Sequence, residues 1–469
     1  MSSSPKVTVY TTTFNYGRYL PQAIESVLRQ TFSSWELLVL DDASTDDTST
    51  ILERYAGHPQ IRLVRNETNR GLIATANQAL SLARGEYIIR LDADDFFDEN
   101  ALLVLSTTLD QKPDIGLVYP DYYHVDEKGD VLDLVRRKKL HEEVTLLDLP
   151  AHGAGTMVRK RCLDELNGYR DIVRCQDGYD LWIRFIDRFG VANVNLPLFY
   201  YRRHGTNLTE NTAGLLQARR LIKRSYVQER YGADVPKVLG IIPVRGKGTP
   251  QGPFALRHLA GKPLLCYTIE EAQRTEVLDR VLVVTEDTEI ARFGIESKVD
   301  VMLRPESLAR SNVPIEPTVW FVLGKLAEKG YLPDIVALLH VTSPLRKAEH
   351  ICEAVDTMLI FKTDSVVSVC EDRMFHYQHR ATGLAPLYEK RQMRLEKEAL
   401  YSENGALYVT RRDKITAESF VAGTIGHIVM PEEVSVQTDR EHDFWLAEKL
   451  LEKRESQDIA QSEAWQVRP

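Results

Sequence analysis

The amino-acid sequence predicts an α/β protein with two doubly wound domains in tandem. Short apolar runs rich in β-branched residues alternate with segments whose apolar residues recur every three or four positions, and this alternation starts afresh in the second half of the 469 residues. Several apolar runs end directly in acidic residues. We place the first domain at residues 1–232 and the second at residues 233–469, because residues 232–236 interrupt a helical pattern and a new buried strand follows.

The composition is that of an ordinary globular protein, with 43% hydrophobic and 27% charged residues, which excludes a disordered or fibrous chain. The 59 Lys and Arg residues against 68 Asp and Glu residues give a net charge of −9, so we expect no nucleic-acid partner held by bulk charge. We expect no signal peptide and no transmembrane segment, since no long apolar run is present. Scattered cysteines without a C-x-x-C pair favour a cytoplasmic location and argue against a zinc site.

In the first half, the pattern predicts a parallel sheet whose ligands bind at the carboxyl edge of the strands. Predicted strands lie at residues 7–10, 37–40, 61–64 and 87–91, and predicted helices at 19–30, 48–55 and 73–83. The second strand runs into Asp41 and Asp42, and the fourth into Asp92, Asp94 and Asp95. The Gly-x-Gly-x-x-Gly fingerprint is missing after the first strand, and carboxylates would repel a bare diphosphate. The sequence therefore implies a divalent cation, Mg²⁺ or Mn²⁺, with oxygen ligands.

Four motifs in this half resemble family 2 glycosyltransferases of the GT-A fold in both order and spacing. They cover residues 11–16, 39–46, 69–71 and 92–95, and the resemblance extends over about residues 5–210. It implies that Thr11 and Asp42 hold the nucleobase of a nucleotide-sugar donor, and that Asp92 and Asp94 bind its ribose and the metal ion. An Asp-x-Asp pair by itself could equally be solvated turn carboxylates, and we expect Asp95 to cap a helix.

A further acidic motif, at residues 175–182, resembles the motif that this family has at the start of a helix. The resemblance implies that Asp177 is the catalytic base, which takes the proton of the acceptor hydroxyl in a single displacement with inversion. The alternative is that Asp177 and Asp180 merely cap the helix. The pattern of Arg202 and His204 recurs in the family near the donor diphosphate, although a surface turn is the alternative. We expect residues 152–157 to form a strand on the acceptor side.

The second half repeats the alternation and begins with a strand that leads into a Gly-rich loop at residues 243–249. Predicted strands lie at residues 238–243, 280–285, 300–303, 335–339 and 364–370, and predicted helices at 264–275, around 290, at 316–329 and at 348–358. The loop carries Arg245 and Lys247, and its backbone N–H groups together with these cations could cradle a triphosphate. A plain turn is the alternative for this loop on its own.

Motifs at residues 259–264, 340–346, 364–369 and 403–408 look like those of acylneuraminate cytidylyltransferases, also called CMP-sialic acid synthetases, over about residues 237–450. That family joins CTP to an acidic keto-sugar and releases pyrophosphate, helped by magnesium. The resemblance implies that Arg245 is catalytic and holds the CTP phosphates with Lys247. The other implied contacts are Asn404 near the sugar, Thr342, Ser343 and Arg346 along the cleft, and Asp439 at the metal.

The second half departs from that family at positions that are usually charged or polar. Gln437 replaces the first carboxylate of the metal pair, Gly248 and Thr249 stand where Ser and Lys are usual, and Phe254 and Ala255 replace a Lys-Asn pair. The sequence therefore leaves two alternatives for this half. It is either an active cytidylyltransferase or a degenerate domain kept for binding or association.

Together these patterns predict a bifunctional sugar enzyme of polysaccharide or glycoconjugate assembly, with a GT-A fold followed by a cytidylyltransferase-like nucleotidyltransferase fold. Its expected partners are a nucleotide-sugar donor, a glycan or other hydroxyl acceptor, CTP, and an acidic sugar of the nonulosonate type. The charged segment 378–397 lies where the cytidylyltransferase family has a dimerisation segment, so a homodimer is also expected. A non-catalytic scaffold that binds sugar nucleotides is the alternative from a different functional class.

Overall fold

The computed structural model describes residues 4–173, 176–204, 212–246, 253–381, 383–388 and 400–466. The chain divides into two compact units, residues 1–226 and 227–469. Both are α/β units with sheets, so the predicted fold class is confirmed. No helix in the described part of the chain is long and apolar enough to span a bilayer.

The first unit alternates strands and helices, as the sequence predicts. Its strands are β1 (Val7–Thr13), β2 (Trp35–Asp41), β3 (Ile61–Arg65), β4 (Tyr87–Arg90), β5 (Phe96–Phe97), β6 (Ile115–Val125), β7 (Val131–Val135), β8 (Met157–Arg159) and β9 (Gly190–Arg202). Its helices are α1 (Leu20–Leu28), α2 (Thr48–Glu53), α3 (Leu72–Leu82), α4 (Ala101–Gln111), α5 (Lys160–Glu165) and α6 (Asp177–Ile186), and α7 (Thr212–Tyr231) crosses the boundary between the units.

The sheet of the first unit has the strand order β3-β2-β1-β4-β8-β6-β9-β5, with β7 paired to β6. Strands β3, β2, β1 and β4 run parallel. Alternate residues of β1 enter two different cores: Val9 packs with residues of α1 and α4, and Tyr10 with residues of α3 and α6. Because both faces are covered, β1, β2 and β4 are buried along most of their length.

The parallel register brings the carboxyl ends of the central strands to one edge of the sheet. Thr13 at the end of β1 pairs with Asp41 at the end of β2. The N–H of Leu91, just after β4, donates to the carbonyl of Tyr10 at 2.9 Å. The acidic residues that follow β2 and β4 therefore lie along the same edge.

Beyond β4 the sheet is mixed, because β8 runs antiparallel to both β4 and β6. The expectation of a strand at residues 152–157 is wrong in its position, since residues 152–156 form a loop and β8 begins at Met157. Gly155 turns the chain there with a φ of 73°, which glycine adopts without steric cost, and its N–H donates to the carbonyl of Arg90 at 2.9 Å. A three-residue strand is too short to leave a clear periodic pattern.

The second unit contains a second sheet. Its strands are β10 (Val238–Pro243), β11 (His258–Leu259), β12 (Lys262–Pro263), β13 (Arg280–Thr285), β14 (Asp300–Leu303), β15 (Ile335–Leu339), β16 (Ser365–Asp372), β17 (Tyr377–Arg380), β18 (Gly383–Pro386), β19 (Leu400–Arg411) and β20 (Ile425–Val429). Its helices are α8 (Leu264–Arg274), α9 (Thr288–Glu296), α10 (Glu316–Glu328), α11 (Ala348–Phe361) and α12 (Glu441–Gln466).

The main sheet of this unit has the order β14-β13-β10-β15-β19-β16-β20. Strands β14, β13, β10 and β15 run parallel, whereas β19 is antiparallel to both β15 and β16. Strands β17 and β18 form a separate antiparallel hairpin. The parallel part brings the segments after β10 and β15 to one edge, where the sequence predicts a nucleotide site.

Candidate active site

Two predicted site carboxylates of the first unit meet at one arginine. Arg90, the last residue of β4, places Nε 2.5 Å from Oδ1 of Asp92 and Nη1 2.8 Å from Oδ2 of Asp177. Asp92 lies two residues after the end of β4, and Asp177 is the first residue of α6. The structure thus brings Asp92 of the Asp-x-Asp motif and the candidate base Asp177 to the same arginine. The arginine that joins them was missed, although its position at the end of an apolar strand was a signal.

Asp94 is held by a histidine rather than by an arginine. Nε2 of His204 lies 2.9 Å from Oδ2 of Asp94, and the His204 ring stacks on Tyr19 with the ring centres 5.4 Å apart. Burial, and next the negative charge of Asp92, raise the pKa of Asp94 above its usual range. Two carboxylates that lie close together in a partly buried site repel each other, and a bound cation offsets this repulsion.

The described residues contain no ready-made cluster of three or more His, Cys, Asp or Glu side chains that would hold a metal ion. Asp92 and Asp94 nevertheless fit Mg²⁺ or Mn²⁺, because such ions are commonly held by one or two carboxylates together with phosphate oxygens and water. Oxygen atoms of the donor diphosphate would then complete the coordination of the cation, beside the carboxylates of Asp92 and Asp94.

Arg202 is buried among backbone carbonyls next to the Asp-x-Asp motif. Its side chain is 1% exposed, and its guanidinium donates to the carbonyls of Asp94, Asp126 and Glu127 at 2.7, 3.0 and 2.9 Å. These bonds join the loop that carries the Asp-x-Asp motif to the turn after β6. A contact of Arg202 with the donor stays a prediction.

Asp95, in the same loop, is also buried. Its Oδ1 accepts the N–H of Arg202 at 2.9 Å, and burial raises its pKa well above the usual range. The expectation that Asp95 caps a helix is wrong, since the next helix, α4, begins only at Ala101. Its carboxyl instead ties the loop after β4 to β9.

The residues predicted to hold the nucleobase lie on the two strands next to β4 in the sheet, Thr11 in β1 and Asp42 just after β2. Thr11 is 1% exposed within β1. The carboxylate of Asp42 accepts hydrogen bonds from the N–H groups of Arg70 and Gly71 at 3.0 and 2.8 Å and from Nδ2 of Asn66 at 2.7 Å. Asp42 therefore orders the motif at residues 69–71, and its contact with a base stays a prediction.

The two acidic residues of α6 have separate surroundings. Asp180 is 2% exposed and pairs with Nη2 of Arg170 at 2.5 Å and with Nε of Arg184 at 2.9 Å. Arg184 also donates to the carbonyls of Leu166 and Gly168, each at 2.8 Å. Asp180 thus attaches α6 to the preceding segment, and it is Asp177 that faces Arg90.

Next to this centre lies a small cavity. Burial lowers the pKa of His152 to about 4, so its imidazole is neutral near pH 7. The hydroxyls of Tyr10 and Tyr169 lie 2.9 Å apart on another wall. The full lining is Tyr10, Ile88, Arg90, Leu117, Ala151, His152, Gly153, Thr156, Val158, Leu163, Tyr169, Gly178, Leu181 and Trp182. The sequence predicts no individual role for the aromatic side chains of this lining.

In the second unit, the loop after β10 is described only as far as Gly246. Arg245 is exposed, and its Nη2 donates to the carbonyl of Val313 at 3.1 Å. The N–H of Gly246 donates to Oε1 of Glu286 at 2.7 Å, and Arg304 holds the other oxygen of Glu286 at 3.0 Å. Lys247 lies outside the described residues.

The segment after β15 meets the segment before α12. The carbonyl of Thr342 accepts the N–H of Thr438 at 2.8 Å, which brings Thr342 near Asp439. Arg346 is 1% exposed and donates to the carbonyls of His340 and Ala406 at 3.0 and 2.6 Å. Burial lowers the pKa of Arg346 to about 10. Ser343 is also buried, at 1% exposure.

The side chain of Asn404 is engaged inside the protein. Its Oδ1 accepts the Ser368 hydroxyl at 2.6 Å, and its Nδ2 donates to the hydroxyl of Ser435 at 3.0 Å. Gln437, which stands at the position of a metal-binding carboxylate, donates its amide N–H to the carbonyl of Asn404. Asp439 is exposed. The described residues of this unit therefore do not supply the carboxylate pair that the resemblance implies for a metal ion.

Known proteins match both halves of the chain. Residues 8–166 match the model of glycosyl transferase family 2, and residues 239–462 match the model of a cytidylyltransferase family. The putative glycosyltransferase EpsE of Bacillus subtilis is 36% identical over 211 residues, which are 43% of this chain and 74% of EpsE. Chondroitin synthase of Escherichia coli is 27% identical over 204 residues, 43% of this chain but only 30% of the synthase.

Among solved structures, S. aureus TarS 1-349 in complex with UDP-GlcNAc is similar to the chain with a TM-score of 0.41 and 18% identity. The likeness covers 47% of this chain and 66% of that chain.

Proposed function

Because this chain belongs to glycosyl transferase family 2 through its N-terminal part and carries a cytidylyltransferase domain after it, we propose that the first unit transfers a sugar from a nucleotide-sugar to an acceptor hydroxyl. The convergence of Asp92 and Asp177 on Arg90 is the observation that carries the proposal. The acceptor is proposed to be a glycan, in polysaccharide or glycoconjugate assembly, and the reaction is proposed to occur in the cytoplasm.

In the proposed reaction, Asp177 accepts the proton of the acceptor hydroxyl while the hydroxyl oxygen forms its bond to the anomeric carbon. The bond from that carbon to the diphosphate breaks on the opposite side, which inverts the configuration. Asp92 and Asp94 would hold Mg²⁺ or Mn²⁺, which when bound neutralises charge on the departing diphosphate. His204 keeps Asp94 in place through its 2.9 Å contact.

The test is a panel of UDP-, GDP-, TDP- and CMP-sugars with Mg²⁺ or Mn²⁺, with release of the nucleotide as the readout. We expect turnover with at least one donor and its loss on chelation of the metal. Asp177→Asn should lower kcat by about 10³-fold, within the range for a lost general base, while nucleotide binding remains. The matched control is Asp164→Asn, which changes an exposed carboxylate of α5 that pairs with Lys160. Unchanged turnover by Asp177→Asn would show that the base is another residue.

For the second unit, we propose that it binds CTP and activates an acidic sugar of the nonulosonate type. The anomeric hydroxyl of the sugar would attack the α-phosphate of CTP, forming the CMP-sugar and releasing pyrophosphate. The family match over residues 239–462 supports this proposal. Gln437 in place of a carboxylate favours the competing proposal, a domain that keeps nucleotide binding or association but not catalysis.

Incubation with CTP, Mg²⁺ and a set of acidic keto-sugars, followed by chromatography for a CMP-sugar, separates these two proposals. Calorimetric titration with CTP, before and after Arg245→Ala, tests binding by itself. Arg292→Ala, an exposed arginine of α9 that pairs with Glu296, is the matched control. Binding of CTP without formation of a CMP-sugar would support the degenerate domain. Absence of both binding and product would exclude both nucleotide roles.

We also propose that the second unit forms a homodimer. Apolar side chains of the hairpin β17–β18 and its flanks are exposed in the described part of the chain, including Leu384 at 70% and Leu387 at 53%. A second copy of this chain would cover them.

A further inference from the structure

We infer that Arg90 is a positioning residue that fixes the carboxylate of the base Asp177 relative to Asp92, an inference that rests on the proposed glycosyl transfer. Arginine is rarely buried without a partner, and the other residues of β4 are Tyr87, Ile88 and Ile89. The side chain of Arg90 is 11% exposed, so its charge is largely removed from water and is balanced by the two carboxylates that it contacts.

The backbone of Arg90 is held on several sides. Arg90 pairs with Tyr10 in the parallel register of β1 and β4. Its carbonyl accepts the N–H of Gly155, and the next N–H, that of Leu91, donates to Tyr10, both at 2.9 Å. The guanidinium therefore extends from a fixed point in the sheet.

The contacts of the guanidinium use two nitrogens of one rigid plane. Nε contacts Oδ1 of Asp92 at 2.5 Å, and Nη1 contacts Oδ2 of Asp177 at 2.8 Å. Since Nε and Nη1 cannot move relative to each other, the two carboxylates are held at a set separation. A lysine could not do this, because its single ammonium is a point charge on a flexible chain.

The start of α6 needs such a restraint. Gln176, just before Asp177, has a left-handed backbone with a φ of 68°. Its side-chain oxygen accepts Nε of Arg219 at 2.9 Å instead of capping the helix. Arg90 thus supplies a side-chain contact from the sheet to the first residue of α6.

The ion pairs with Arg90 still allow Asp92 and Asp177 to contact a substrate or a cation. The side chain of Asp92 is 26% exposed and that of Asp177 is 11% exposed, whereas Asp180 on the same helix is 2% exposed between two arginines. Arg90 occupies one oxygen of each carboxylate, and the other oxygen of each is the one that we assign to substrate or cation. The arrangement couples the base to the donor side of the site.

The test combines two variants of Arg90 with the donor found in the panel of nucleotide-sugars. Arg90→Gln should lower kcat by about 100-fold, the cost typical of an ~1 Å misplacement, with little change in the KM for the donor. Arg90→Lys keeps a charge that favours folding but spans only one carboxylate, and we expect it to lose at least about tenfold in kcat. Arg62→Gln, which breaks the 3.2 Å pair with Glu36 elsewhere in the sheet, is the matched control.

A double-mutant cycle distinguishes positioning from general structural support. If Arg90 acts through Asp177, Arg90→Gln added to Asp177→Asn causes no further fall in kcat. Provided that the wild-type enzyme turns over, three results would overturn the inference. They are fully additive losses of kcat in the double variant, a change in KM alone, and a normal kcat in the Arg90 variants. Absence of turnover by the wild-type protein with every donor would instead overturn the proposed function and this inference with it.

Discussion

Asp177 and Asp180 lie one turn apart at the start of α6, and their neighbours give them different roles. Asp180 lies between Arg170 and Arg184, which are bound to it at 2.5 and 2.9 Å. Asp177 contacts Arg90, which also contacts a carboxylate of the Asp-x-Asp motif. The same residue type therefore serves attachment of the helix in one place and, in our proposal, proton transfer in the other.

We expect Asp180→Asn to lower the free energy of unfolding by about 3 kcal/mol, because it leaves two guanidiniums near an uncharged side chain, one of them buried. Denaturant titration of Asp180→Asn and of Asp177→Asn measures the free energy of unfolding of each variant. Asp177→Asn should unfold at nearly the wild-type denaturant concentration, since Arg90 keeps its pair with Asp92. Equal destabilisation by the two variants would contradict the separation of roles.

His340, after β15, makes the stability of the protein depend on pH. Burial, and next the charge of Arg346, lower its pKa from 6.5 to about 4. As the pH falls from 6.5 towards 4, the unfolded chain binds a proton that the folded chain does not, so stability falls over that range. The loss attributable to His340 is about 2 kcal/mol at about pH 4.5.

His340→Gln should remove this share of the pH dependence while preserving a polar side chain. Denaturant midpoints of the wild-type and variant proteins at pH values above and below the titration measure it. The wild type should lose more stability than the variant on acidification. Equal losses of stability in the two proteins would show that His340 is protonated as readily in the folded protein as in the unfolded chain.

At the scale of elements, the hairpin β17–β18 is paired within itself and stands apart from the main sheet of its unit. Leu384 is 70% exposed there, and Met374 and Leu387, which flank the hairpin, are each 53% exposed. Leu384→Lys should therefore weaken the proposed dimer, because it places a charge in the apolar contact. Sedimentation over a range of concentrations measures this, with Leu303→Lys, at an exposed leucine of β14, as the control. A wild-type chain that stays monomeric at every concentration would exclude the dimer.

The elements also show where sequence reasoning succeeds. Strands β1, β2 and β4 are buried and rich in apolar or β-branched residues, so their pattern predicts where they lie and the acidic edge that follows β2 and β4. Strand β8 is only three residues long, so the loop before it was taken for a strand. The partners of Arg90, Asp180 and Asp42 come from distant parts of the chain, and a linear pattern does not reveal such contacts. Gln437 was recognised as a departure, but its bond to the carbonyl of Asn404 needed the structure.

At the scale of the whole molecule, each unit has its own sheet and its own apolar cores. Two of the cores belong to the first unit, and one that includes Leu239, Leu282 and Val336 belongs to the second. The candidate sites follow the same division, with Asp92 and Asp177 in the first unit and Arg245 in the second. We therefore expect that a nucleotide bound at one proposed site leaves the residues of the other site unchanged.

This separation predicts two independent ligand responses in thermal unfolding. A donor nucleotide with Mn²⁺ and CTP with Mg²⁺, each at about 100 times its Kd, should each stabilise the unit that binds it by about 2.7 kcal/mol. Asp92→Asn should abolish the first response and preserve the second, and Arg245→Ala should weaken the second and preserve the first. If either substitution removed both responses, or if the two ligands competed in calorimetry, one shared nucleotide site would replace the two proposed here.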